Sequence, residues 1–125
     1  MASSISTAFN VLLLLSCGFA ALSSRSMAQV QCTNTTPYNI GLDAGTATGA
    51  TVTTRKMTNG AATVSYLLYS GSGRTTNWGN TIGTDTVAAT GSGTGQSYTV
   101  YGRVPAQSTP APAAYAETIT VTVTY

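Results

Sequence analysis

The chain has no histidine, only two cysteines, and charged residues at just 6% of its 125 positions. Without His there is no side chain whose ordinary pKa suits proton transfer near neutrality. Ser–His–Asp and Cys–His nucleophile arrangements are thereby excluded, and so is a metal centre built on His or Cys clusters. Carboxylates are almost as scarce. Asp43, Asp85 and Glu117 are the whole set, and each sits alone without an accompanying polar motif. They read as turn-capping or solvated groups, not as the paired acids of a glycosidase. The expectation is therefore no catalytic residue, no cofactor and no metal. Beyond residue 28 the basic residues, Arg55, Lys56, Arg74 and Arg103, are too dispersed for a nucleic-acid footprint or for attraction to an anionic membrane surface.

Long apolar runs are also absent, with one exception. Ala8–Leu22, "AFNVLLLLSCGFAAL", is too short for a membrane span, which needs about 20 apolar residues. It is followed by polar "SSRSMA", with small residues at Ser26 and Ala28. This pattern is that of a signal peptide covering residues 1–28, cleaved between Ala28 and Gln29. It departs from the usual signal in having no Lys or Arg in "MASSISTAFN". "LLSC", ending at Cys17, faintly resembles a lipoprotein box; a Cys inside an apolar signal core is the preferred reading. Residues 29–125 then form one small domain, at a size where a single core is adequate but not generous, with no membrane span.

Thr, Gly, Ser, Ala and Val make up most of that domain, and its apolar residues alternate. β-Branched Thr and Val fit a pleated surface. "VQC" reads as a short strand piece, and "YNIGLD" as a strand with Tyr38, Ile40 and Leu42 on one face. "TVSYLLY" is apolar on both faces and reads as a central strand. It is preceded by Asn59-Gly60, which suits a type I′ hairpin turn. "TVAA" is a further short strand, and "SYTVYGRV" places Tyr98, Val100 and Val104 on one face. "AETITVTVTY" ends the chain with Ile119, Val121, Val123 and Tyr125 facing one way and four threonines the other. Short strands spaced by Gly- and Pro-rich turns indicate an all-β sandwich. "GSGTGQ", Gly91–Gln96, has no helix after it and reads as a turn, not a phosphate loop. Asn34-Thr35-Thr36 matches a glycosylation sequon, a triplet that arises readily by chance. Trp78 with nearby tyrosines raises a possible sugar-stacking platform, against which core packing is the preferred reading.

Taken in order, "CTNTTPYNIGLDAGT", "RKMTNG…TVSYLLYSGSGRTTNWG" and "YTVYGRVPAQSTPAPAAYAETITVTVTY" resemble the spore coat protein U domain family, which includes major subunits of archaic chaperone–usher pili. The resemblance implies an incomplete immunoglobulin-like sandwich without its final strand. A periplasmic chaperone, and later a neighbouring subunit, supply the missing strand by β-augmentation. It also implies a first strand with a cysteine paired to Cys32, and a donor segment before it. Cleavage after Ala28 leaves only Gln29, Val30 and Gln31 ahead of Cys32. The expected fold therefore lacks both first and last strands, Cys32 is an unpaired thiol, and there is no room for a donor strand. Ile119, Val121, Val123 and Tyr125 form the edge awaiting a partner's strand.

The resulting expectation is a structural subunit of a bacterial surface fibre, a pilus or spore-coat-like assembly, secreted through the periplasm to the cell surface. Its partners would be a periplasmic chaperone, an outer-membrane usher and other subunits. The alternatives are a secreted carbohydrate-binding sandwich using Trp78, or a non-assembling fragment of a pilus subunit.

Overall fold

The computed structural model of the chain describes the backbone of residues 2–8, 12–16, 20–23, 27–108 and 110–125, and side chains from Val30 onward apart from Thr109. All regular structure among these residues is strand. The elements are β1 (Ala2–Ala8), β2 (Leu12–Ser16), β3 (Ala20–Ser23), β4 (Met27–Gln31), β5 (Pro37–Leu42), β6 (Arg55–Asn59), β7 (Ala62–Tyr69), β8 (Val87–Thr90), β9 (Gln96–Thr99), β10 (Tyr101–Arg103) and β11 (Thr118–Thr124). They form sheets ordered β1-β11-β5-β8, β10-β7-β6 and β3-β2-β4-β9. Among the described strands, only the β2–β4 pair is parallel.

The sheets enclose one core, as expected of a sandwich. Tyr38, Ile40 and Leu42 of β5, Tyr66 and Leu68 of β7, and Ile119 and Val123 of β11 are buried together with Val30, Cys32 and Trp78. Burying each large apolar side chain is worth roughly 1.5–3 kcal/mol, so the period-2 faces of β5 and β11 carry much of the folding energy. Tyr38 and Tyr98 join two sheets, their rings edge-to-face at 6.4 Å. The Tyr38 hydroxyl donates to Gln96 Oε1 at 3.1 Å and lies 2.5 Å from the Tyr98 hydroxyl. With the Tyr38 proton directed to Gln96, Tyr98 is the donor of the second bond. Burial first, and the Tyr98 contact second, push the Tyr38 phenol above its ordinary range.

Residues 97–104, "SYTVYGRV", read as one strand, but this stretch serves two sheets. β9 pairs with β4, and after Val100 β10 pairs with β7. Val104, expected to face inward with Tyr98 and Val100, is 56% exposed beyond the end of β10. The β6–β7 turn also differs from expectation. Asn59 pairs with Ala62, so the central residues are Gly60 and Ala61. Positive φ occurs at Gly60 (57°) and not at Ala61. That is the φ signature of type II′, one residue later than the type I′ turn read at Asn59-Gly60. Asn59 is instead the last strand residue, and its Nδ2 donates to the Ala114 carbonyl at 2.7 Å.

The uncleaved chain also has strands ahead of Cys32. Residues 2–8, 12–16, 20–23 and 27–31, most of them within the segment read as a cleaved signal, take strand conformation and enter two sheets. β2 pairs antiparallel with β3, and β4 runs through Ala28 and Gln29 to pair with β9. A cut between Ala28 and Gln29 would remove β1, β2, β3 and the start of β4. Cys32 is likewise not an unpaired thiol: it is buried and disulfide-bonded. The chain's one other cysteine, Cys17, lies outside the described residues together with its lipoprotein-box reading, as does Ser26 of the cleavage pattern.

Candidate assembly edge

The terminal strand β11 is built to be held on one side by its own domain. On that side Val121, Thr122, Val123 and Thr124 pair with Leu42, Gly41, Ile40 and Asn39 of β5. Beyond this ladder the chain of β5 turns away, and side chains continue the pairing. Asp43 N donates to the Thr120 carbonyl at 3.1 Å, while Asp43 Oδ1 accepts from Thr120 N at 2.9 Å and Gly45 N at 3.0 Å. The carboxylate thus stands in for a strand carbonyl.

Glu117 anchors the residue just before β11. The residue is 6% exposed. Oε1 accepts from Thr46 N at 2.8 Å, Thr46 Oγ1 at 2.7 Å and Thr118 N at 2.8 Å, and Oε2 accepts from Ala47 N at 3.1 Å. Gly45 is what lets the loop close this tightly. Its φ is +83°, and a Cβ there would stand 2.9 Å from Glu117 Cδ. Burial by itself would raise the Glu117 pKa, but the hydrogen bonds from Thr46, Thr118 and Ala47 together outweigh it and hold the pKa below the ordinary value. A depressed carboxylate pKa stabilises the fold above its unfolded value and loses that contribution as pH falls through the folded one. Glu117→Gln is therefore expected to cost about 1.5–3 kcal/mol at pH 7. The gap to wild type should narrow as urea midpoints are measured at progressively more acid pH below 4.5. A constant gap would remove the charge from the account.

The other side of β11 is where a partner's strand was expected, and it is occupied. β1 runs antiparallel along the strand, Ala2 opposite Thr124 through Ala8 opposite Thr118, with Ile5 opposite Val121. β11 is thus an inner strand of its sheet in the uncleaved chain. The four residues singled out along it do not have equal roles. Ile119 and Val123 are core residues, whereas Val121 and Tyr125 are partly buried against the core.

Trp78 does not serve a sugar site. It is 1% exposed, its Nε1 donates to the Ile40 carbonyl at 2.9 Å, and its backbone N donates to Leu68 O. No stacking face is left for a ligand. No group of metal-binding side chains occurs among the described residues, and no helix among them is long and apolar enough to cross a membrane. Sequence reasoning missed Arg55, which is wholly buried and ties β6 to the ends of β5 and of the Trp78 loop. Beside Lys56, nothing in "TTRKM" sets it apart.

Searches among curated proteins and among solved structures each found no match. The profile of the Spore Coat Protein U domain matches residues 15–122, beginning inside β2 and ending inside β11. That domain is associated with spore-coat and pilus-like surface structures and is structural, not enzymatic. With most of its length matched, and with an all-β fold that agrees, the chain belongs to the Spore Coat Protein U domain family.

Proposed function

We propose that this protein is a structural subunit of a bacterial surface fibre, and that copies join by exchanging β1. The observation that carries this reading is the seven-residue register between β1 and β11. A strand at one terminus that completes a sheet at the other can equally complete the same sheet in a second copy. Before assembly, a periplasmic chaperone would hold the β11 edge with a strand of its own, and an outer-membrane usher would then release the subunit into the fibre. This reading keeps β1 in the exported chain. N-terminal sequencing of the surface protein should therefore find residues upstream of β2, and a start at Gln29 would defeat it.

The chaperone step has its own test. Val121 is the better probe, because Val123 is buried in the core and its replacement would unfold the domain. Val121→Asp should abolish co-purification with a periplasmic chaperone. Undiminished capture would remove β11 as the docking edge. The carbohydrate-binding alternative finds no support at Trp78, for the reason given above.

A further inference from the structure

We propose that Gln107 is a plug which keeps the edge of β7 from pairing with the same edge of a second copy. This rests on the strand-exchange reading, because it explains why copies would join at β11 and not here. The ladder between β10 and β7 runs Tyr101–Tyr69, Gly102–Leu68, Arg103–Leu67. Continued by two residues, it sets Pro105 opposite Ser65. Proline has no N–H to give a ladder, and β10 stops at Arg103. Two residues later the chain supplies the missing groups from a side chain. Gln107 Nε2 donates to the Ser65 carbonyl at 2.8 Å, and Gln107 Oε1 accepts from Ser65 N at 3.0 Å. A carboxamide is the side-chain copy of a peptide group, so Ser65 is paired as though a strand lay beside it.

Without that plug, Ser65 and the neighbouring Thr63 would offer backbone groups outward on one edge, since alternate residues of a strand face the same neighbour. An antiparallel edge is self-complementary about a two-fold axis. Ala62–Tyr66 contains no charged residue to repel its own copy, and open uncharged edges are the usual route to wrong association. The occupant that Gln107 excludes is thus the same edge of another molecule, in a closed side-by-side dimer that adds nothing to a linear fibre.

The test uses the full chain, wild type and Gln107→Ala, first as monomer and then over a concentration series. In the monomer, amide exchange at Ser65 should quicken about tenfold or more in the variant, the loss of one hydrogen bond's net protection. By light scattering after size exclusion, the variant should form a dimer that wild type does not. The double variant Gln107→Ala/Thr63→Pro, which removes an outward donor without touching the β6–β7 pairing, should be monomeric again. Unchanged Ser65 exchange would overturn the proposal, and so would a variant that stays monomeric or a dimer that survives Thr63→Pro. All three readouts are taken on monomers and dimers. Failure of the strand-exchange reading would appear separately, as wild-type chains that never polymerise.

Discussion

Arg55→Ala is expected to yield no soluble, cooperatively folding protein. The guanidinium is fully buried, and none of its hydrogen-bond partners is a carboxylate. Nε donates to the Asp43 carbonyl at 2.7 Å and Nη1 to Val52 O at 2.7 Å, while Nη2 donates to Leu42 O at 2.9 Å and Trp78 O at 2.7 Å. Burial pushes the guanidinium pKa down, while the fields of Tyr66, Asp43 and Asp85 push back, and an arginine stays charged under such opposition. Truncation would strand the buried carbonyls of Leu42 and Trp78 at roughly 1–3 kcal/mol each, and the partly buried ones of Asp43 and Val52 at less, besides leaving a cavity. Even a fraction of that sum rivals the whole stability of a small domain, about 5–15 kcal/mol. Arg55→Lys should not rescue, since an ammonium has three donors on a single nitrogen and no planar fork to reach acceptors on three segments. Soluble yield, near-ultraviolet dichroism of Trp78 and urea unfolding would check this. An Arg55→Ala chain that unfolds cooperatively within about 1 kcal/mol of wild type would show that the carbonyls find water.

The importance of Arg55 could not be read from sequence, because burial of a lone arginine depends on which loops close over it. What was legible is the set of strands with one clean face. Tyr38-Ile40-Leu42 and Ile119-Val121-Val123-Tyr125 alternate, and both segments are strands in the structure with that face inward. β7, apolar on both faces, is indeed central, lying between β10 and β6. Periodicity describes a strand's faces and is silent about its neighbours. Nothing in "SYTVYGRV" therefore disclosed that the chain changes sheets at Val100. The run Leu12–Leu15 illustrates a second limit. A short continuous apolar stretch suits a signal core and a buried strand equally, and the small residues at Ser26 and Ala28 that follow it point to the signal. The expectations of an unpaired Cys32, a missing first strand and no room for a donor strand all hang on that cleavage, which takes Cys17 and β1 away together. Asp43 and Glu117 were readable as capping carboxylates, but not that both cap the approach to β11, 71 and 70 residues separating Glu117 from Thr46 and Ala47.

Deleting residues 2–8 should bring the domain to the edge of unfolding, and a peptide of the same sequence, ASSISTA, should restore it. A seven-residue antiparallel ladder makes about seven backbone hydrogen bonds. At a net ~0.5–1.5 kcal/mol each, they approach the stability of the domain itself. Loss of β1 also turns β11 into an uncovered edge with Val121 and Tyr125 beneath it, which invites aggregation. The deleted chain should therefore be recovered mainly as aggregate, or with a sharply lowered melting temperature. Peptide added in trans stabilises by mass action, about 2.7 kcal/mol at one hundred times its dissociation constant. The melting temperature should accordingly climb with the logarithm of peptide concentration. A control peptide with proline at both Ile5 and Ser6 loses a ladder donor whichever residue of the two faces β11, and should restore nothing. Restoration in trans is the chemistry of one subunit completing another, so this experiment asks for the elementary step of the proposed fibre with no chaperone or usher present. A deleted chain as stable as wild type would make β1 a dispensable appendage. A deleted chain that is unstable and deaf to the peptide would keep β1 as a structural strand, but would end its role in joining copies.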